Sequence, residues 1–398
     1  MIEFPVPRSR GPLVQLGRRL FAPGRRWNGR ADVIAVVKIG AIGDVLMTTP
    51  FLTALRRRFP ASRIVYFVGG WSQGAVLHNP NVDEVVTLDD RGLWRMRPAA
   101  VLDAWNKLRR ARADLGFVLD RHFLYSVLAA ASGIRFRVGF DRAGEGFACN
   151  LTVPFGEPRH EVEYNLETLR LLTGEPVTQS PMTICPTTDE QRWAGEQWAS
   201  WGLAGPVVAI MPGGATNPRQ NATLKRWPLE HYAALIARLL ATYPGLRVLL
   251  LGGDDDRELI AGLAGSNPAR VVNAAGAGNL RQSAALLARC RLAITHDSGP
   301  MHVAAASGIP VLSIFGPTDP RRYAPQSAGD TTLFRGDLPG ALCYTSFGSY
   351  PATTAALECL SAITPADVLD CVAQRYAQRL QEKPHPDPGG GVSTRSRP

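Results

Sequence analysis

Short apolar runs alternate with segments of helical periodicity along most of the chain. In the first half, the apolar runs predict buried strands and the amphipathic segments between them predict helices. The predicted strands are residues 32–38, 63–68, 83–88, 114–119 and 135–138, and the predicted helices are 45–59, 98–112, 122–132 and 161–172. Because strands that alternate with helices form parallel sheets covered on both faces, this half is predicted to be an α/β domain.

The same alternation begins again at Val207. The predicted strands of this second half are residues 207–211, 246–251, 270–272, 292–295 and 310–315, and the predicted helices are 229–242, 255–263 and 280–288. We therefore expect two doubly wound domains, 31–175 and 205–382, joined by a connector at 176–204. Since ligands of such sheets bind beyond the carboxyl ends of the strands, a cleft between the two domains is the expected site.

The two ends of the chain follow neither pattern. Residues 383–398 lack periodicity and are rich in proline and glycine, so this tail is predicted to be disordered. A closing helical region at about 354–382 either completes the second domain or packs back on the first. Residues 1–30 carry seven arginines and one acid. Two interpretations of this basic arm remain open: a solvated arm, favoured by its four prolines, or a short segment in contact with anionic membrane.

Charge and composition limit the kinds of molecule that the protein is expected to bind. The 398 residues include 44 basic and 34 acidic side chains, a net charge of +10, which favours phosphate ligands, anionic lipid or nucleic acid. A nucleic-acid binder is disfavoured, because no recognition motif occurs and many of the arginines lie in the terminal arm. No apolar run is long enough to span a membrane, and the start lacks the core of a signal peptide, so a cytoplasmic protein is expected. The six cysteines form no metal-binding spacing, and no metal site or cofactor is predicted.

The loop at residues 38–44 is the first candidate for chemistry. It links a predicted strand to a predicted helix, and Asp44 stands at the start of that helix. Asp44 has two interpretations: a residue that caps the helix, or a general base that takes a proton from an acceptor hydroxyl.

Two further loops follow strands in the second half. Gly213 and Gly214 would allow the backbone to approach a ligand closely, and Lys225 would bring a positive charge to a phosphate. The alternative for Lys225 is an ordinary surface lysine. Of the three acids at 254–256, one is expected to cap a helix, and the other two are candidates for hydrogen bonds to ribose hydroxyls or for a counter-charge.

The segment 292–325 predicts a strand, a helix start, a second strand and a tight loop. The start of its helix would offer backbone N–H groups and the positive end of the helix dipole to a diphosphate. The residues of this predicted anion site are Asp297, Ser298, Gly299, Pro300, Met301 and His302. A plain capped helix with a core histidine is the alternative.

Three motifs occur together in one order: KIGAIGDVLMTTP, PGG followed by LKRWPLEHYAAL, and HDSGPMHVAAASGIPVLSIFGPTDPRRYAP. Together they resemble glycosyltransferase family nine, the ADP-heptose:lipopolysaccharide heptosyltransferases and their relatives, over about residues 32–375. The resemblance implies a GT-B fold, with two Rossmann-like domains facing a central cleft, and an inverting, metal-independent mechanism. It also implies that Asp44 is the catalytic base and that Lys225 binds the donor phosphates. Residues 297–302 match the donor-binding signature, and Asp254 or Asp256 lies near the acid that holds the ribose.

The function implied by this resemblance is transfer of a heptose or related sugar from a nucleotide-diphosphate sugar, expected to be ADP-heptose. The expected acceptor is a phosphorylated or acidic glycolipid of the lipopolysaccharide core or another cell-surface glycan. Gly43, Arg121 and Thr318 are the acceptor-side candidates. A monomer is expected, cytoplasmic and peripheral at the inner face of the cytoplasmic membrane. A GT-B sugar-nucleotide epimerase and a non-catalytic nucleotide-sugar-binding relative are the alternatives; the presence of both Asp44 and Lys225 disfavours the second.

Overall fold

The apolar runs of the first half form a parallel sheet. The computed structural model describes residues 12–21, 27, 29–214, 216–217, 220–221, 223–265, 267–339, 341–343 and 354–381. The strands of the first sheet are β1 (Val33–Val37), β2 (Arg63–Gly69), β3 (Glu84–Leu88), β4 (Leu115–Val118), β5 (Phe136–Asp141) and β6 (Leu151–Pro154). They lie in the order β3-β2-β1-β4-β5-β6, and every neighbouring pair is parallel.

The helices of this N-terminal domain cover both faces of its sheet. They are α1 (Pro12–Phe21), α2 (Ile42–Leu46), α3 (Thr49–Arg58), α4 (Asp90–Trp94), α5 (Pro98–Ala111), α6 (Phe123–Ala131) and α7 (Glu161–Thr173). The single helix predicted at 45–59 is α2 followed by α3. Pro50 has no N–H to donate to the carbonyl of Leu46, and the Thr49 hydroxyl donates to that carbonyl instead, at 2.7 Å. Helix α1 was not predicted.

The second half repeats this architecture. Its strands are β7 (Val207–Met211), β8 (Thr216–Asn217), β9 (Gln220–Asn221), β10 (Arg247–Leu250), β11 (Val271–Asn273), β12 (Leu292–His296), β13 (Val311–Phe315) and β14 (Thr331–Phe334). The parallel sheet has the order β11-β10-β7-β12-β13-β14, while β8 and β9 form a separate antiparallel pair. The edge strands β6 and β14 were not predicted. Most of their residues are only half-buried, so their sequences lack a continuous apolar run.

The remaining helices connect these strands. They are α8 (Thr188–Ser200), α9 (Leu229–Thr242), α10 (Arg257–Gly265), α11 (Leu280–Leu287), α12 (Gly299–Ala306), α13 (Pro320–Tyr323), α14 (Thr354–Ser361), α15 (Pro365–Arg375) and α16 (Ala377–Gln381). The connector helix α8 is fastened to the C-terminal domain by Glu190, which accepts a hydrogen bond from Arg281 at 2.7 Å. The closing helices pack on the C-terminal domain: Val368, Val372 and Leu380 belong to its core.

Both domains contribute to one continuous hydrophobic cluster. Phe51 and Leu166 enter it from the N-terminal domain, and Leu287 and Met301 enter it from the C-terminal domain. Burial of this shared apolar surface holds the carboxyl ends of the two sheets towards each other. The chain therefore has the predicted GT-B architecture, with two Rossmann-like domains that face each other. None of the described helices combines the length and the apolar character needed to cross a bilayer. The predicted tail at 383–398 and residues 1–11, 22–26 and 28 of the basic arm lie outside the described residues.

Candidate active site

A cavity of about 770 Å³ lies where the two sheets meet. Its N-terminal wall comes from the loops after β1, β2 and β4, and its C-terminal wall from the loops after β7, β10 and β12. The predicted site residues that line it are Gly43, Asp44, Arg121, Gly214, Lys225, Asp256, Asp297, Ser298, Gly299, Pro300 and His302. One cavity thus brings together residues that are more than 200 positions apart in the chain.

Asp44 lies in the first turn of α2, with about a third of its side chain exposed (32%). Its Oδ2 accepts a hydrogen bond from the Ala41 N–H at 2.9 Å, so the capping interpretation is correct for this oxygen. Its Oδ1 lies 4.0 Å from the Lys38 ammonium. Burial favours the neutral acid, but the charges of Lys38 and Arg121 and the Ala41 hydrogen bond outweigh it and lower the pKa of Asp44 below its usual value. Asp44 is therefore an ionised carboxylate at neutral pH.

Lys38 was missed as a site residue in the sequence. It is buried at the end of β1, and its ammonium donates to the carbonyl oxygen of Leu119 at 3.3 Å. Asp120, at the end of the neighbouring strand β4, accepts a hydrogen bond from the Ile39 N–H at 3.0 Å and also lines the cavity. The sequence did contain a signal for Lys38. Lysine is rarely buried unless it is paired, so a lysine at the end of a buried strand indicates a specific role.

Arg121 is held in place at the edge of the cavity. Its guanidinium pairs with the buried carboxylate of Glu161 and lies 4.0 Å from the centre of the Phe155 ring. The guanidinium of Arg322 from the C-terminal domain lies 3.7 Å from the same carboxylate and donates to the carbonyl of Glu157 at 3.2 Å. Glu161 thus joins an arginine of each domain.

Asp297 forms the tightest charge pair in the C-terminal wall. Its Oδ2 accepts hydrogen bonds from the Lys225 ammonium at 2.8 Å and from the Thr318 hydroxyl at 2.7 Å. Burial alone would raise the pKa of Asp297, but Lys225 and Thr318 reverse the direction and lower it. Thr318 is fully buried behind Asp297 in the C-terminal domain and does not line the cavity, so its position contradicts the predicted acceptor-side role.

The start of α12 faces the cavity. Ser298 is the residue before the helix, Gly299 and Pro300 form its first positions, and Met301 is fully buried beneath them. Met301 therefore supports the site from behind and does not face it.

His302 packs across the domain interface against Gly43. A side-chain carbon at Gly43 would overlap the imidazole, so only glycine permits this approach of α2 to α12. Burial lowers the pKa of His302 even though Asp297 and Asp44 raise it, which makes the ring neutral at pH 7. Within the described part of the chain, its Nδ1 is buried and has no hydrogen-bond partner.

Asp256 organises two loops of the C-terminal wall. Its carboxylate accepts hydrogen bonds from the N–H groups of Gly214 and Gly253, both at 3.0 Å, and Gly213 has no room for a side chain beside it. Asp254 is exposed, pairs with Arg257 at 2.9 Å and does not line the cavity. The acid of this triplet whose exposed side chain borders the cavity is Asp255, which the sequence analysis did not select.

The comparisons with known proteins agree on one family. A model described as glycosyltransferase family 9 (heptosyltransferase) matches residues 101–344, more than half of the chain. The chain belongs to glycosyltransferase family 9. Lipopolysaccharide heptosyltransferase 2 of Escherichia coli K12 is 27% identical to this glycosyltransferase over 308 residues, which cover 74% of the chain and 85% of the relative.

Two solved structures share the fold of this family 9 enzyme. A family 9 glycosyl transferase from Veillonella parvula has a TM-score of 0.72 and 25% identity, covering 86% of this chain and 96% of its own. The E. coli ADP-heptose LPS heptosyltransferase II has a TM-score of 0.67 and 24% identity, covering 87% of this chain and 98% of its own. The family model includes Lys225, Asp297 and His302 but not Asp44, so the role of Asp44 depends on geometry.

Proposed function

We propose that this glycosyltransferase moves a heptose from ADP-heptose to a hydroxyl of a lipopolysaccharide core acceptor, with inversion and without a metal ion. One observation carries the proposal: the ionised Asp44 and the Lys225–Asp297 pair stand on opposite walls of one cavity. A carboxylate can activate the acceptor hydroxyl by taking its proton, and the Lys225 ammonium can stabilise the leaving diphosphate. The heptosyltransferases among the relatives support heptose as the sugar and the lipopolysaccharide core as the acceptor class.

The reaction needs one displacement. The acceptor oxygen attacks the anomeric carbon of the donor sugar while Asp44 takes the hydroxyl proton. The bond between that carbon and the diphosphate oxygen breaks, and its electron pair leaves with the nucleoside diphosphate. Because attack and departure occur on opposite faces of the carbon, the configuration inverts. The lowered pKa of Asp44 keeps it deprotonated, and proton transfer then accompanies attack because the acceptor hydroxyl becomes acidic only as its oxygen bonds to carbon.

The leaving group gains negative charge as the glycosidic bond breaks. Lys225 can offer its ammonium to a phosphate oxygen, and the N–H groups at the start of α12 add the positive end of the helix dipole. Asp297 and Thr318 fix the lysine, so little reorganisation is needed during the reaction. In this proposal these groups supply the positive charge that a metal supplies in other transferases.

The acceptor would lie against the N-terminal wall. Arg121, His122 and Arg142 line this side and would complement a phosphorylated or acidic glycolipid. We place the enzyme in the cytoplasm, as a monomer that meets its lipid-linked acceptor at the inner face of the cytoplasmic membrane, with contact through residues 1–30.

A donor screen tests this function. Binding of ADP-heptose, ADP-glucose and UDP-glucose is measured first, followed by turnover with a heptose-free core lipid and anomeric analysis of the product by NMR. We expect ADP-heptose to bind and react, with an inverted anomeric centre and unchanged turnover in chelator. A product with retained configuration, or turnover that chelator abolishes and a metal restores, would refute the mechanism. Turnover with a UDP-sugar alone would refute the donor.

A further inference from the structure

Helix α1 is docked on the N-terminal domain by contacts along one side. Gly17 approaches Phe147 so closely that a Cβ there would come within 2.7 Å of the ring. Phe21 packs on the same ring at 6.1 Å, and its carbonyl accepts a hydrogen bond from the buried Arg137. Arg18 pairs with Asp141 at 2.8 Å. The helix therefore has a defined orientation on the domain.

This orientation leaves two leucines in solvent. Leu16 is 53% exposed and Leu20 is 66% exposed, the highest value among the large hydrophobic side chains of the described residues. Because they are four residues apart, they share one flank of the helix. The exposed Arg19 lies beside them, while Arg18 is on the docked side with Asp141, and the helix sequence PLVQLGRRLF contains no acid. An apolar flank bordered by an arginine, on a short helix without acids, is the composition of an interfacial helix.

The positive charge around this flank indicates which partner binds it. Residues 1–30 hold seven arginines and one acid, so the flank lies in a strongly positive part of the chain. In a symmetric dimer through α1, Arg19 would lie close to its own copy, and like charges repel. An anionic bilayer instead accepts the leucines at the headgroup boundary and pairs Arg19 with a lipid phosphate.

The docking site of α1 adjoins the acceptor side of the cavity. Asp141, the partner of Arg18, is followed by Arg142, which lines the cavity. On the other side, the Phe147 ring stacks on Phe123 at 6.5 Å, and Phe123 follows His122, a second lining residue. A surface that binds α1 is thus close to the N-terminal wall.

We propose that α1 is an interfacial helix that seats the enzyme on an anionic bilayer through Leu16 and Leu20. In this position the N-terminal wall of the cavity lies near the lipid surface, where a lipid-linked acceptor is presented. The first statement narrows the membrane contact of the proposed function from residues 1–30 to one side of α1, and vesicles alone can test it. The second statement rests on the proposed transfer to a lipid-linked acceptor.

Vesicle co-sedimentation tests the binding. The probe is vesicles of phosphatidylglycerol and phosphatidylethanolamine, with phosphatidylcholine vesicles for comparison. The variant Leu16→Asp/Leu20→Asp is matched by Leu102→Asp, a leucine of α5 that is 57% exposed. We expect the full chain to bind the anionic vesicles. The affinity of the double variant for these vesicles should be at least about tenfold lower, and that of Leu102→Asp should equal that of wild type. Circular dichroism and thermal melting check that all three proteins are folded.

The results that overturn the proposal are specific. They are no binding by the wild type, equal binding by wild type and double variant, or an equal loss in Leu102→Asp. Self-association or capture of an acidic protein by the leucine flank, without vesicle binding, would also overturn it.

Activity separates this proposal from the proposed function. The double variant should raise KM for acceptor embedded in vesicles several-fold and leave turnover of a deacylated, water-soluble acceptor unchanged. If no acceptor reacts with any variant while the vesicle result holds, the proposed function fails and the membrane helix stands. If turnover is normal and the KM values for both acceptors are unchanged, the positioning role fails.

Discussion

Each domain places an aspartate beside a lysine at the carboxyl end of its sheet, but the two pairs differ in tightness. Lys38 and Asp44 are 4.0 Å apart and about a third of the Asp44 side chain is exposed. Lys225 and Asp297 are 2.8 Å apart and only 6% of the Asp297 side chain is exposed. Both carboxylates have a lowered pKa, so both are charged. The loose pair leaves a carboxylate oxygen open to a substrate, whereas in the tight pair the carboxylate is committed to holding its lysine.

Removing the open carboxylate should have the largest effect. Asp44→Asn keeps an oxygen that can accept from Ala41 but loses the base, so turnover should fall about 10³-fold. Steady-state kinetics with saturating donor measures the loss. Asp103→Asn, which removes a carboxylate from a surface pair with Lys107, is the control and should behave like wild type. Turnover of Asp44→Asn within a few-fold of wild type would remove Asp44 from the mechanism.

Neutralising Asp297, the carboxylate that holds Lys225, should instead reduce the stability of the fold. Asp297→Asn leaves the mostly buried Lys225 without its opposite charge, and unfolding free energy should fall by about 3 kcal/mol. Urea denaturation measures this. Asp189→Asn breaks an exposed pair with Arg192 and should cost less than about 1 kcal/mol. Equal losses in the two variants would show that the tight pair has no special structural role.

The close contact between the two domains offers a third test. Gly43→Ala forces a methyl group into His302, and we expect the variant to lose about 1–3 kcal/mol of stability. Gly262→Ala in α10 has open space around it and should be neutral or slightly stabilising. Thermal unfolding compares them. An unchanged melting temperature for Gly43→Ala would mean that α2 and α12 move apart at little cost.

The smallest effect should be a change in pH dependence. Lys38→Met removes the cation that contributes most to the lowered pKa of Asp44, while Arg121, His302 and the Ala41 N–H remain. The pKa of Asp44 should therefore rise. Since only the deprotonated form accepts a proton, the acid limb of the kcat/KM profile should move to higher pH. Lys107→Met, a surface variant, should leave the profile in place. A shift of the acid limb to lower pH would contradict this electrostatic role.

The arrangement of strands and loops could be predicted because it depends on local signals. The alternation of apolar and amphipathic segments located most strands, and glycines and acids after them marked the loops of the cavity wall. Lys225 and Asp297 were both selected, although their contact spans 72 positions and no local pattern indicates it.

The features that could not be predicted from the sequence depend on contacts between residues that are distant in the chain. Thr318 was placed with the acceptor because nothing local shows that its hydroxyl reaches Asp297. The separate roles of the acids at 254–256 could not be predicted for a similar reason. Asp256 accepts a hydrogen bond from Gly214, which is distant in sequence. Helix α1 was missed although its leucines recur at helical spacing. A helix of ten residues is not stable alone, and this one depends on docking on Phe147 and Asp141, which are distant in sequence.

Donor affinity most directly tests whether the Lys38–Asp44 pair serves the acceptor and the Lys225–Asp297 pair serves the donor. The dissociation constant for ADP-heptose is measured by calorimetry for wild type, Asp44→Asn and Lys225→Met under one set of conditions. If the open carboxylate serves the acceptor and the fixed lysine serves the diphosphate, Asp44→Asn binds donor like wild type, and Lys225→Met binds it at least about tenfold more weakly. Unchanged affinity in Lys225→Met, or a loss in Asp44→Asn as large as that in Lys225→Met, would contradict this division.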